Sequence, residues 1–295
     1  MLTPKQIAEQ GCFLVKEVGS SAHGTNLAGT DDLDLMGVCF QPEEYLLGLR
    51  HFEEYIYRTA RERVKFDPEE NQKRQGQEPP SEPGDTDLVI YSVQKYLKLA
   101  LASNPTILIL FFSQKRHVEF EINRAAGTHV WYSSMAWANN FEQLSEAIAN
   151  RQAGTKFLGY LQAQKERMLG VRGQMRVTRK ELLELYGYDV KYAYQAVRLG
   201  LQGVEFLQTG KLSLPMSESL SDQLKEVRRG VYTLSQIIEW IEQLEADLLR
   251  TIENCDLPRR PDTEAVDRWL VESQQEFWEW RRKNNQAQES LAKLP

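Results

Sequence analysis

The sequence predicts an α+β fold, a strand-rich first half followed by an all-helical second half. Three observations carry this expectation. Four short β-rich runs, CFLVKEV (12–18), LDLMGVCF (33–40), FEEYIYR (52–58) and DLVIY (87–91), all end before residue 92, each bounded by turn-forming residues. From Ser92 onward the apolar residues recur at helical spacing, the period that buries one face of a helix. Beyond about residue 134 the helical signal dominates to the C-terminus. The expected units are therefore 1–133, a core, and 134–295, a helical domain.

Each element has a local reason. Thr3-Pro4-Lys5-Gln6 fits a helix start, with Thr3 as N-cap, Pro4 at the first helical position and Gln6 placed to close a capping box, while Gly11 supplies the stop. The first strand follows and ends at Gly19-Ser20, where a helix or turn can begin. The second continues out of the aspartates at 31–34. PEEYLLGL (42–49) predicts one or two helical turns. QKRQGQEPPSEPGDT, rich in Pro, Gly and Glu, predicts a loop between the third and fourth strands. SVQKYLKLALAS is a helix that Asn104-Pro105 breaks, and TILILFF is an apolar run too short to assign between strand and buried helix. The remaining helical stretches end in DTEAVDRWLVESQQEFWEWRRKN, whose stripe of Trp269, Phe277, Trp278 and Trp280 suits helix packing or a dimer contact better than base stacking.

Composition narrows the setting. At 295 residues and 41% hydrophobic content the chain can bury a sizeable core. A net charge of −6 argues against a general nucleic-acid clamp but leaves room for a local basic stripe. Cys12, Cys39 and Cys255 lack the spacing of a zinc site or a disulfide framework, which points to a reducing compartment. The N-terminus has no apolar leader and no window approaches the roughly 20 apolar residues of a membrane span. A cytoplasmic protein is expected.

The chemistry concentrates in GSSAHGTNLAGTDDLDLMG (19–37). Side chains on a strand alternate faces, so Asp32 and Asp34 project to one side while Leu33 and Leu35 enter the core, with the two aspartate Cα atoms roughly 7 Å apart. Unpaired, these carboxylates would raise each other's pKa; with Mg²⁺ between them both stay ionised. Hard divalent ions take such oxygen ligands and complete their shell with substrate phosphate and water, which invites a nucleotide. Two ions about 3.5–4 Å apart can activate a hydroxyl and neutralise a leaving pyrophosphate. A third carboxylate is then expected on a neighbouring strand: Asp87, which opens DLVIY, with Asp85 as the second choice. Gly19 and Ser20 are placed to grip a phosphate oxygen. Asp31 is expected to face away from Asp32 as a solvated turn residue.

The conjunction of strand, Gly19-Ser20, Ala22, Gly24-Thr25, Asp32-x-Asp34 and Gly37 resembles the signature of the DNA polymerase beta nucleotidyltransferase superfamily. In detail it is similar to its RlaP-type branch, the RNA repair pathway DNA polymerase beta family. SVQKYLKLALASNPTILILFF, TKFLGYLQAQ and YDVKYAYQAVRLGLQGVEFLQTGKLSLP extend the likeness over most of residues 12 to 215. The resemblance implies a mixed-sheet nucleotidyltransferase core (1–133) and a helical domain (134–295) closing over the nucleotide. It implies Gly19 and Ser20 on the triphosphate, Asp32, Asp34 and Asp87 on Mg²⁺ or Mn²⁺, and Lys191 and Arg198 on the helical wall of the cleft. Spaced by seven with Gln195 between them, those two share a helix face. Three positions depart from the family pattern: Asp31 replaces a usual Ser, Ile109 stands where an acidic residue often follows the NP segment, and Gln195 stands where His is expected.

The activity implied is transfer of NMP from an NTP, ATP among them, to a hydroxyl acceptor with release of pyrophosphate. The family name suggests an RNA 3′ end as acceptor; a protein or small-molecule acceptor, or a non-catalytic nucleotide-sensing module, are the alternatives. His23 reads as a local packing residue, with a phosphate contact as the other option. Lys165, Arg167, Arg172, Arg176, Arg179 and Lys180 are balanced between a solvated helix-loop-helix and a grip on RNA phosphates.

Overall fold

The computed structural model describes residues 1–29, 31–61, 82–113, 140–171 and 179–291. The first half contains α1 (Pro4–Gly11), β1 (Cys12–Glu17), α2 (Gly19–His23), β2 (Leu33–Cys39), α3 (Glu43–Leu46), β3 (Glu54–Arg58), β4 (Thr86–Ser92), α4 (Val93–Leu101) and α5 (Pro105–Phe112). The capping box forms as the sequence predicts, Thr3 Oγ1 accepting from the Gln6 N–H and Gln6 Oε1 from the Thr3 N–H. TILILFF resolves as helix α5, capped by the Asn104 side chain with Pro105 in its first turn. Ile107, Leu108, Ile109, Leu110 and Phe111 are all buried; a helix covered on every side leaves no periodic trace in its sequence.

The four strands form one mixed sheet in the order β1-β2-β4-β3. β1 runs antiparallel to β2, β2 parallel to β4, and β3 antiparallel to β4. Alternation separates its faces. Leu35, Cys39, Leu88 and Ile90 belong to one apolar cluster, closed by Ile7 and Ala8 of α1 and Tyr45 of α3. Met36 and Val38 point the other way, into the larger core shared with the helical half. The mixed sheet and helical second half expected for an α+β nucleotidyltransferase fold are thus present.

The second half contains α6 (Leu144–Ile148), α7 (Gln152–Met168), α8 (Lys180–Tyr186), α9 (Val190–Thr209), α10 (Glu218–Arg228), α11 (Leu234–Asn254) and α12 (Thr263–Leu291). Helix α9 is central, and its Gly203 permits the close fit: a Cβ there would lie 2.7 Å from both Leu248 of α11 and Phe157 of α7. Asp189 caps α9 by accepting the Lys191 and Tyr192 N–H groups, which places the start of this helix independently of tertiary packing.

Helix α12 returns to the first half. Phe277 stacks on Phe40 with ring centroids 5.3 Å apart, Trp269 lies 6.3 Å from the same ring, and the Gln274 and Trp278 side chains both donate to the Gln41 carbonyl. The aromatic stripe therefore packs within the chain. All three cysteines are free thiols. Among the described residues no helix is long and apolar enough to cross a membrane.

Candidate active site

The parallel register of β2 and β4 sets Asp34 directly opposite Asp87. Because Leu35 and Leu88 enter the core beneath the sheet, both aspartates lie on the opposite face, toward the helical half. Asp32 precedes β2 by one residue. One carboxylate oxygen from each of Asp32, Asp34 and Asp87 lies within 4.8 Å of the others. Asp85, the second choice for the third carboxylate, is instead buried and accepts the Glu82 N–H at 2.7 Å, closing the turn ahead of β4.

Electrostatics make this cluster unfavourable without a cation. Burial, then repulsion from Asp32, Asp87 and Asp31, pushes the Asp34 carboxyl up to about 6, with Arg58 opposing. Arg58 ends β3 opposite Asp87, and its Nε lies 3.8 Å from Asp87 Oδ2. An all-oxygen donor set of three crowded acids fits a hard divalent ion such as Mg²⁺ or Mn²⁺.

The glycine-serine turn borders the cluster. Gly19 adopts φ +67°, and a Cβ on it would overlap Asp34, with Cγ only 2.8 Å away. Val18 N–H donates to the Asp34 carbonyl at 2.9 Å, so α2 leaves β1 beside the aspartates. Ser20 is half-buried in the first turn of α2.

Asp31, expected as a solvated turn residue, is instead 15% exposed at its side chain and paired with Arg228 of α10. It also accepts the Leu27 N–H at 2.5 Å. Burial raises its pKa, but the hydrogen bonds from Arg228 and Leu27 and the Arg228 charge outweigh this and hold it below the usual carboxylate value. Local sequence pattern carried no trace of this partner, which lies 197 residues away.

On α9, Lys191 is exposed and Arg198, two turns on, is buried at 7% exposure. Arg198 donates to Gln202 Oε1 at 2.6 Å and Gln195 Oε1 at 2.5 Å, both neutral, and among the described residues it has no carboxylate partner. Its Nε is buried without an acceptor. Gln202 continues to His23 Nδ1 at 3.2 Å, joining this cation to the end of α2. His23 is 2% exposed; burial and then the Arg198 charge keep its imidazole neutral.

The basic stretch is partly committed to internal pairs. Lys165 pairs with Glu242 and Glu245, and Arg179 with Asp189 at 3.0 Å. Arg167 is exposed; Arg172, Arg176 and the Lys180 side chain lie outside the described residues.

Searches of curated proteins and of solved structures return no match. A family model described as RlaP, the RNA repair pathway DNA polymerase beta family, matches residues 6–272. That span holds the sheet, the three aspartates, most of α1 and helices α2 to α11, and the chain therefore belongs to the RNA repair pathway DNA polymerase beta family.

Proposed function

We propose that the chain is a metal-dependent nucleotidyltransferase that moves NMP from an NTP to a hydroxyl acceptor, an RNA 3′ end first among the candidates, and releases pyrophosphate. The observation that carries this is the convergence of Asp32, Asp34 and Asp87 within 4.8 Å beside the Gly19-Ser20 turn, in a member of this family. Asp32, Asp34 and Asp87 would hold Mg²⁺ or Mn²⁺. A divalent ion held there would supply charge neutralisation for the departing pyrophosphate and would ease ionisation of the attacking hydroxyl.

The chain's own groups have separate tasks. Gly19 leaves room for close backbone approach, and the Ser20 hydroxyl can donate to a phosphate oxygen. Arg198 supports triphosphate binding because, among the described residues, its buried charge is hydrogen-bonded to neutral amides and to no carboxylate, and an anion would offset that cost. Lys191, exposed at the start of the same helix, can reach the phosphates from solvent. The acceptor oxygen forms its bond to the α-phosphorus as the bond to the bridging oxygen breaks, and Asp87 takes the hydroxyl proton.

Purified protein incubated with each α-³²P-labelled NTP, Mg²⁺ or Mn²⁺, and total cellular RNA or protein should transfer label to RNA. Label on protein or a small molecule would replace the RNA acceptor. Absence of label on any acceptor, with NTP bound, would replace catalysis by nucleotide sensing. Asp34→Asn with wild-type transfer would end the metal-dependent reading.

A further inference from the structure

We propose that Arg228 is a positioning residue for the transfer reaction. Through Asp31 it fastens the helical half to the residues that carry Ser20 and Asp32, and so fixes where a metal-ligating carboxylate stands.

Arg228 is the last residue of α10, and its side chain is 8% exposed. Nη2 lies 2.5 Å from Asp31 Oδ1, while Nη1 donates to the Thr25 carbonyl at 2.6 Å and reaches Asp31 Oδ2 at 3.3 Å. A fork of this kind fixes direction as well as distance. The guanidinium also sits 5.5 Å from the Tyr194 ring centroid, and the Tyr194 hydroxyl is 2.7 Å from Thr25 Oγ1. Tyr194 belongs to α9, so two helices of the second half hold Thr25.

From there the contacts run inward. The Thr25 N–H donates to the Ser20 carbonyl at 3.0 Å. The Leu27 N–H donates to Asp31 Oδ2 at 2.5 Å, on the same turn. Asp31 is joined to Asp32 by one peptide bond. The phosphate-side serine, the first aspartate of the cluster and the helical half are thus tied through one cation. Both terminal nitrogens of Arg228 are engaged, which suits positioning rather than contact with substrate. Displacing a reacting group by about 1 Å can cost on the order of 10²-fold in rate.

Resting on the metal-dependent reaction proposed above, the test uses the full chain with Arg228→Ala, Arg228→Lys, Asp31→Asn and the Asp31→Asn/Arg228→Ala double variant. Mn²⁺ binding without nucleotide is followed by EPR, and kcat and KM for NTP are measured separately. Arg228→Ala should lower kcat about 10- to 100-fold and weaken Mn²⁺ binding several-fold, with KM for NTP changing by less than about threefold. Lysine should recover part of the loss. Asp31→Asn should reproduce it, and the double variant should be no worse than the poorer single one, because both remove the same link.

Wild-type kcat and Mn²⁺ binding in a folded Arg228→Ala protein would overturn the inference, as would multiplying losses in the double variant. Should Arg228→Ala fail to fold, the isosteric Asp31→Asn decides by the same readouts. Asp34→Asn separates the two levels. If it loses Mn²⁺ while Arg228→Ala keeps it, only the positioning role fails; if it binds Mn²⁺ like the wild type, the metal site fails and the positioning role with it.

Discussion

Asp34 fills the space that a side chain on Gly19 would need: a Cβ there would meet Asp34 Cβ at 2.9 Å and Cγ at 2.8 Å, with Oδ2 closer still. The glycine and the aspartate, fifteen positions apart in sequence, are one steric unit. Gly19→Ala should therefore displace the Asp34 carboxylate. Transfer is expected to fall on the order of 10²-fold, and the positive φ adds about 1–2 kcal/mol of strain. Gly29→Ala is the control, since Gly29 shares the positive φ but has nothing within 4 Å of the added carbon. It should lose stability without a comparable loss of kcat.

The raised pKa of Asp34 makes the metal-free site a cost to the fold. Its ordinary value of 3.8 becomes about 6 in the native protein, so between those values the native state binds more protons than the unfolded chain. Stability then falls as pH rises through this window and stays lower above it. In EDTA, Asp34→Asn should melt above the wild type at pH 7.5, by on the order of 2 kcal/mol, and the gap should close toward pH 4. Mg²⁺ should raise the melting temperature of the wild type and leave that of Asp34→Asn nearly unchanged.

Arg198 separates affinity from stability. Its guanidinium is buried without a carboxylate partner among the described residues, and burial lowers its pKa. Arg198→Met removes a desolvated charge and keeps much of the side-chain volume. KM for NTP should rise about tenfold or more, equivalent to about 1.4 kcal/mol. The melting temperature should hold or rise. A fall in stability with unchanged KM would make Arg198 a packing residue.

How much of this was legible in the sequence depends on how far apart the cooperating residues lie. Alternation within DLDLMG (32–37) assigns Asp32 and Asp34 to one face and Leu35 to the core, because the strand period is local. Asp87 was reachable because DLVIY reads as a strand that can pair beside β2; most of the loop expected before it, QKRQGQEPPSEPGDT, lies outside the described residues. The register that sets it opposite Asp34 is a tertiary fact. Arg58 and Arg228 were missed for the same reason: each acts across strands or between halves, and RRG at 228–230 looks like any charged helix end. Asp31 looks like a solvated turn residue in the sequence because its neutralising partner lies in α10. TILILFF stayed ambiguous because a helix buried on all sides has no polar face to mark its period.

The end of α12 offers a last prediction, on residues beyond the family match at 272. Phe277 is 1% exposed and stacks on Phe40 at 5.3 Å and on Trp280 at 6.1 Å. Phe40 follows β2 directly, in the larger core shared by the two halves. Phe277→Ala should therefore cost about 3–5 kcal/mol and lower the melting temperature by about 10 °C in a chain of this size. Trp278→Phe removes the indole N–H donor to the Gln41 carbonyl, 2.7 Å away, together with part of a ring packed on the core, and should cost about 1–2 kcal/mol. Both variants should retain Mn²⁺ binding at temperatures where they stay folded, because neither residue touches the aspartates. If Phe277→Ala melts like the wild type, α12 does not hold the halves together, and the aromatic stripe needs another role.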